Sequence, residues 1–305
     1  YTYSLIMLLM VLASFILSFI IFKGIFTYEF NHAYNADDPL YWTVGRGILN
    51  GLMPYQEMYE NKPIGIFVIS ALSFAFTNGT VLCNVISFIS AFLHTIIPLW
   101  IISYELNRTE NDGTYSIKKA VVILIVFMSS LLLTIYCELR SGGFQVEMIA
   151  SVFSILFICL TIRLKNAKTR RQTIFFSAFS AVSISCTVMM KEPFLLVSLF
   201  GALLFIDTFR ELLKCIVIPC IIGAIFTLFV LAISGLIVPY FSIYVKQMFL
   251  TRLSGESSAL TRSFDILKLS DDLKRFSMWF LILMLVFIIS TMLWPICKKQ
   301  NLGRA

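Results

Sequence analysis

The chain has 305 residues, 59% of them hydrophobic and only 13% charged. A soluble domain is nearer half apolar, so an ordinary water-soluble enzyme is not the first expectation. The net charge of +7 does not point to nucleic acid, because much of the basic excess falls in short segments between apolar runs, as in proteins oriented in a membrane.

Crossing a bilayer takes about 20 apolar residues. Runs approaching that length are predicted to span near 4–22, 81–104, 120–136, 148–162, 173–189, 194–208, 215–238 and 276–296. The expected fold is an all-α polytopic membrane protein, a single transmembrane domain over 1–305 with about eight crossings. A β-barrel would show weakly alternating strands instead. The first run lacks a basic flank and a small-residue cleavage site, so it reads as a retained span. The seven cysteines lie mostly inside apolar runs at no metal or disulfide spacing and read as small core residues.

The segment 23–80 is expected to be an external loop carrying two interfacial helices, 39–51 and 63–76. The first has Pro39 in its opening turn and Gly51 at its end. Tyr41 and Trp42 suit the interfacial aromatic belt. The second is short for a crossing and suits an interfacial or re-entrant helix; were it to cross, the N-terminus would be outside and Asp37 cytoplasmic. With the N-terminus inside, 13 of the 24 lysines and arginines fall in the inside loops 105–119, 163–172, 209–214 and 297–305. The same topology puts Asp37, Asp38, Lys62, Glu138, Arg140, Glu147, Lys191 and Glu192 on one outer face.

Each of these groups has a chemical and a plain reading. Asp37 and Asp38 offer a general base for an acceptor hydroxyl or amine, oxygen ligands for a divalent cation, or an acidic pair favoured by a helix dipole. Lys62, in Asn61-Lys62-Pro63, opposes the dipole of the helix it precedes. It reads as a phosphate ligand or as a lysine snorkelling to the headgroups. Glu138, Arg140 and Glu147 crowd a short glycine-containing loop, where Arg140 pairs with Glu138 or with a phosphate. Lys191 and Glu192 form a charged turn before Pro193. His94 is intramembrane, a functional candidate or a hydrogen-bonded bundle residue. The 239–275 stretch, expected to be external, reads as a lid or as an amphipathic linker.

The stretch Asp37-Asp38-Pro39-Leu40-Tyr41, then Arg46, then Asn61-Lys62-Pro63-Ile64-Gly65 resembles the GT-C superfamily of membrane glycosyltransferases. The similarity is to the bacterial branch, glycosyltransferase family 39, related to protein O-mannosyltransferases and the lipid A aminoarabinose transferase. That family opens its first external loop with Asp-Glu and a tyrosine three residues on, then an arginine, then an acidic-Lys-Pro motif. Here Asp38 replaces the usual Glu and Asn61 the usual acid. Glu147 takes the place of a family acid at the start of the fourth span, and Met190-Lys191-Glu192-Pro193 resembles a later Thr-Lys-Gly-Pro pattern. The resemblance covers roughly 1–210, and members are longer, so the chain is expected to be a fragment or a minimal member.

The resemblance implies a GT-C-like bundle in a bacterial inner membrane with an extracytoplasmic active site. It implies sugar transfer from a polyprenyl phosphate or diphosphate to a lipid, glycan or protein acceptor, with inversion at the anomeric carbon. Asp37 would be the base, Glu147 and Asp38 would orient the acceptor or bind a divalent cation, and Lys62, Arg140 and Lys191 would hold the donor phosphate. Tyr41, Arg46 and Glu138 would support them. The alternative is a transporter or flippase of lipid-linked sugars, whose sites tend to lie at the bilayer midplane.

Overall fold

A computed structural model describes residues 8–16, 18–19, 37–58, 60–109 and 144–253, with five further positions between 123 and 130. Among these residues the chain is helical, and its one β-like feature is an isolated bridge between Pro54 and Met58. Arg140 and Glu138, the expected span at 276–296 and most of 239–275 lie outside the described residues.

Two short helices come first. Helix α1, Asp38–Leu49, has Pro39 in its first turn and ends at Gly51, where φ is +83° and a side chain would be strained. Its buried stripe is Asp38, Tyr41, Val44, Gly45 and Gly47. Helix α2, Ile64–Thr77, runs beside it in the same direction: Asp37 meets Lys62, Tyr41 meets Phe67, and Arg46 lies over Phe74. The two backbones approach so closely that a Cβ on Gly45 would stand 2.7 Å from the Ala71 nitrogen. Asn78, in the left-handed conformation, turns the chain into α3, and the Ser73 hydroxyl accepts from Leu82 N–H at the new helix start.

Among the described residues four helices are long and apolar enough to cross a membrane: Val81–Ile102 within α3 (Val81–Thr109), α4 (Val146–Lys165), α5 (Arg170–Met190) and α7 (Phe209–Ile233). The α4–α5 turn is fixed by a capping box between Thr169 and Gln172. α5 and α7 run alongside each other, joined by a 2.6 Å hydrogen bond between the Ser185 and Thr227 hydroxyls. The apolar faces left outward, Phe175 and Phe179 on α5 and Ile225 and Phe229 on α7 among them, suit hydrocarbon contact.

Where a crossing was predicted over 194–208, the helix α6 is Pro193–Leu203, only 11 residues. It stops because Thr208 caps the following helix, its hydroxyl accepting from Glu211 N–H, which commits 204–208 to a turn. α6 nevertheless follows α4 from end to end. Lys191 pairs with Glu147, Ser198 donates to Ser154 at 2.8 Å, and Lys165 donates to the Phe205 carbonyl at 2.9 Å.

Contacts along the chain divide it into two compact units, 1–245 and 246–305. The first closes with a helical turn, Ile237–Pro239, and a π-helical stretch, Tyr240–Val245, where a loop was expected. In the second unit the described part is helix α8, Lys246–Leu253.

Candidate functional site

Four of the charged groups that the topology collects from distant parts of the chain, Asp37, Lys62, Glu147 and Lys191, stand in two ion pairs. Asp37 stands immediately before α1, and Lys62 stands just before α2. Because the two helices run in the same direction, their starting ends lie side by side, and Lys62 Nζ lies 3.2 Å from Asp37 Oδ2. The Tyr41 hydroxyl, one helical turn along α1, donates to the same oxygen at 3.2 Å. Its ring packs edge-on against Phe144 at 6.2 Å, which carries the contact to the start of α4. There Glu147, in the first turn of α4, pairs with Lys191 from the α5–α6 turn. Two ion pairs therefore flank one tyrosine.

The electrostatics are consistent with this closeness. Tyr41 is 1% exposed. Burial first, then the charges of Asp37 and Glu147, hold its hydroxyl pKa far above the ordinary 10.0. It stays a hydrogen-bond donor at any physiological pH. Its burial also means that it packs inside the protein rather than in the lipid-facing belt expected from its position. Asp37 keeps 49% of its side chain exposed and Glu147 44%, so both carboxylates are open to a ligand.

Asp38 behaves differently from its neighbour. Successive helical residues point about 100° apart, and Asp38 is turned into the protein at 1% exposure while Asp37 faces outward. The two neighbouring carboxylates therefore have different surroundings. Among the described residues no group of three or more His, Cys, Asp or Glu side chains is placed to hold a metal ion. Arg46 is exposed, with its guanidinium 4.8 Å from the centre of the Phe74 ring. Nine residues beyond Asp37, it lies about 13 Å along the helix from it. His94 is buried at 5% exposure within α3.

Other residues join the site without having been singled out. Glu60 is close enough to Tyr41 and Tyr55 to raise both hydroxyl pKa values. It supplies an acid two positions before the lysine, where Asn61 occupies the adjacent place. Glu192 accepts hydrogen bonds from Tyr244 and, at 3.5 Å, from Tyr240. Burial and Glu192 together keep both of those tyrosines protonated. The i, i+4 spacing of Tyr240 and Tyr244 was the available signal, since it puts both hydroxyls on one helical face.

An apolar cleft of about 250 Å³ opens among α1, α2, α5 and α7. It is lined by the end of α1 and its loop (Ile48, Leu52, Met53), the start of α2 (Ile64, Val68), Met189 and the end of α7 (Val230, Leu231). Lys62 and Lys191 are each two residues from a lining side chain, Ile64 and Met189. No family model, no curated protein and no solved structure matches the chain.

Proposed function

We propose that the chain is a glycosyltransferase that takes a sugar from a polyprenyl phosphate or diphosphate at the extracytoplasmic membrane surface. The observation that carries this is the Asp37–Lys62 and Glu147–Lys191 pairs on either side of Tyr41, with an apolar cleft lined by Ile64 and Met189, each two residues from one of the lysines. A donor of this kind has an isoprenoid tail, an anionic phosphate and a sugar, in that order. The cleft offers apolar surface for tail carbons near the phosphate. The two lysines offer charge-assisted hydrogen bonds to phosphate oxygens. The two half-exposed carboxylates offer bases for an acceptor.

In the resting arrangement Asp37 occupies Lys62 as a phosphate would. A donor phosphate that takes over Lys62 frees the Asp37 carboxylate. Asp37 then removes the proton of the acceptor O–H or N–H, and the acceptor atom bonds to the anomeric carbon. The bond from that carbon to the phosphate oxygen breaks, and the leaving phosphate carries the electron pair. Lys62 and Lys191 stabilise the charge that develops on it. Tyr41, always protonated, keeps the Asp37 oxygen oriented.

The charge distribution supports the outward assignment. Arg163, Lys165, Lys168, Arg170, Arg171 and Arg210 all gather at the end of the bundle away from Glu147, as expected for the cytoplasmic end. Helix α2 supports an interfacial rather than a crossing path. Its 14 residues are short, it starts at the charged end, and it feeds α3. The far end of α3 meets the far end of α4, where Arg163 lies 5.5 Å from the Trp100 ring. A transporter would place its paired charges at mid-span, whereas both ion pairs here lie at helix ends.

The test is binding of a polyprenyl phosphate to the purified protein, measured by native mass spectrometry, together with mass spectrometry of surface glycans from cells with and without the gene. Specific binding and a lost glycan are expected. No binding, with an unchanged glycan profile, would overturn the assignment.

A further inference from the structure

Tyr55 is a bulky residue in a conformation that normally favours glycine, with φ at +68°. Such strain persists only where the surroundings enforce it. Here Tyr55 N–H donates to the Met58 carbonyl at 2.9 Å, and Met53 N–H donates to Glu57 at 2.6 Å. The strained turn places the ring, 2% exposed, 4.9 Å from the Tyr244 ring and 6.0 Å from the Tyr240 ring. It also brings the Tyr55 hydroxyl to the Lys62 carbonyl, to which it donates at 2.9 Å. Tyr244 in turn donates to Glu192, the residue after Lys191. Both lysines of the site are thus tied through one backbone step to the same tyrosine cluster.

We propose that Tyr55 and Tyr244 are positioning residues that set the separation of the Lys62 and Lys191 ammonium groups, matching it to one phosphate or diphosphate group. This rests on the function proposed above. A lysine has a long flexible stem, so two lysines grip one anion with a defined spacing only if their backbones are held. Tyr55 holds the first at its own carbonyl. Tyr244 occupies Glu192, which would otherwise compete with Glu147 for the neighbouring Lys191.

The experiment uses Tyr55→Phe and Tyr244→Phe, which keep the rings and remove one hydroxyl each. A water-soluble amine reagent followed by peptide mass spectrometry gives labelling rates at each lysine, with Lys165 and Lys246 as references. Polyprenyl-phosphate binding is measured on the same samples. Tyr55→Phe is expected to speed labelling at Lys62 selectively, Tyr244→Phe to slow it at Lys191 because the freed Glu192 then pairs with that lysine, and each to weaken binding roughly two- to tenfold, the scale of one hydrogen bond. Unchanged labelling ratios in folded variants would overturn the proposal. If Tyr55→Phe does not fold, Tyr244→Phe decides alone, since its hydroxyl lies outside the strained turn. Shifted labelling in a protein that binds no polyprenyl phosphate would leave the positioning intact and remove the function proposed for it.

Discussion

Asp37→Asn separates a catalytic base from a structural ion pair. Asn keeps the shape and an acceptor oxygen for Tyr41 but loses the charge that Lys62 faces at 3.2 Å. In an undiluted low-dielectric interior such a pair would be worth many kcal/mol, but Asp37 is 49% exposed. Pairs of that exposure contribute about 0.2–1 kcal/mol. The weakened hydrogen bond from Tyr41 adds on the order of 1 kcal/mol. A loss of about 1–2 kcal/mol shifts a thermal midpoint by a few degrees. Removing a general base, by contrast, slows the chemical step about 10²–10⁴-fold. Donor binding should hold or tighten, because Lys62 loses the carboxylate that competes with phosphate. The assays are thermal unfolding in detergent, native mass spectrometry with a polyprenyl phosphate, and glycan analysis of cells complemented with the variant. Activity near wild type would refute the base assignment. Activity and donor affinity falling by the same factor would make Asp37 a binding residue instead.

Lys62→Ala should weaken polyprenyl-phosphate binding about 10- to 100-fold, the worth of a charge-assisted hydrogen bond. Lys62→Arg should restore part of it, as titration of the two variants would show. Gly65→Ala should destabilise by about 1–3 kcal/mol, read as a lower unfolding midpoint, because the new Cβ would stand 2.7 Å from the Met189 carbonyl oxygen and force α2 off α5. Tyr55, Tyr240 and Tyr244 all have hydroxyl pKa values raised above 10.0, chiefly by burial. The folded state therefore holds these protons more tightly than the unfolded state. Their stabilisation is complete below pH 10.0 and lost as pH rises above it. Unfolding midpoints measured through that range should fall, and fall less steeply in Tyr240→Phe.

The meeting of Asp37, Lys62, Glu147 and Lys191 was legible in the sequence because it depends on topology alone. Charges at helix ends, separated by whole apolar runs, must collect at the bundle's two ends. The limits of α1 were equally legible from Pro39 and Gly51. The inward turn of Asp38 departs from the expectation, which set it beside Asp37 on the outer face; it begins the i, i+3, i+7 stripe Asp38–Tyr41–Gly45 that α1 buries. Two features were not legible. Hydropathy runs unbroken from Pro193 through Ile206, so the end of α6 depends on the cap at Thr208, which a hydropathy window averages away. The bond from Tyr244 to Glu192 joins residues 52 positions apart, and no local pattern carries a partner at that distance.

The shortness of α6 bears on how the site is held. From Glu147 to Lys165 the chain climbs as continuous helix, about 27 Å. From Lys191 to Asp207 it covers a matching path, although only 11 residues are helical, supplying about 16 Å. The 204–208 segment begins in tight turns, with Phe205 and Ile206 N–H donating to the Ala202 and Leu203 carbonyls, and non-helical backbone in a bilayer needs partners for its remaining polar groups. Lys165 supplies them, donating to the Phe205 carbonyl and pairing with Asp207 and Glu211. The segment is thus pinned by a lysine at each end, Lys191 on Glu147 and Lys165 on Asp207, with the Ser198–Ser154 hydrogen bond between. The two lysines differ in what a ligand can change. Lys165 has two carboxylates and a carbonyl, so losing any one of them leaves it paired. In the described structure Lys191 faces Glu147, a half-exposed carboxylate that an incoming anion can displace, so only the site end of α6 is exchangeable.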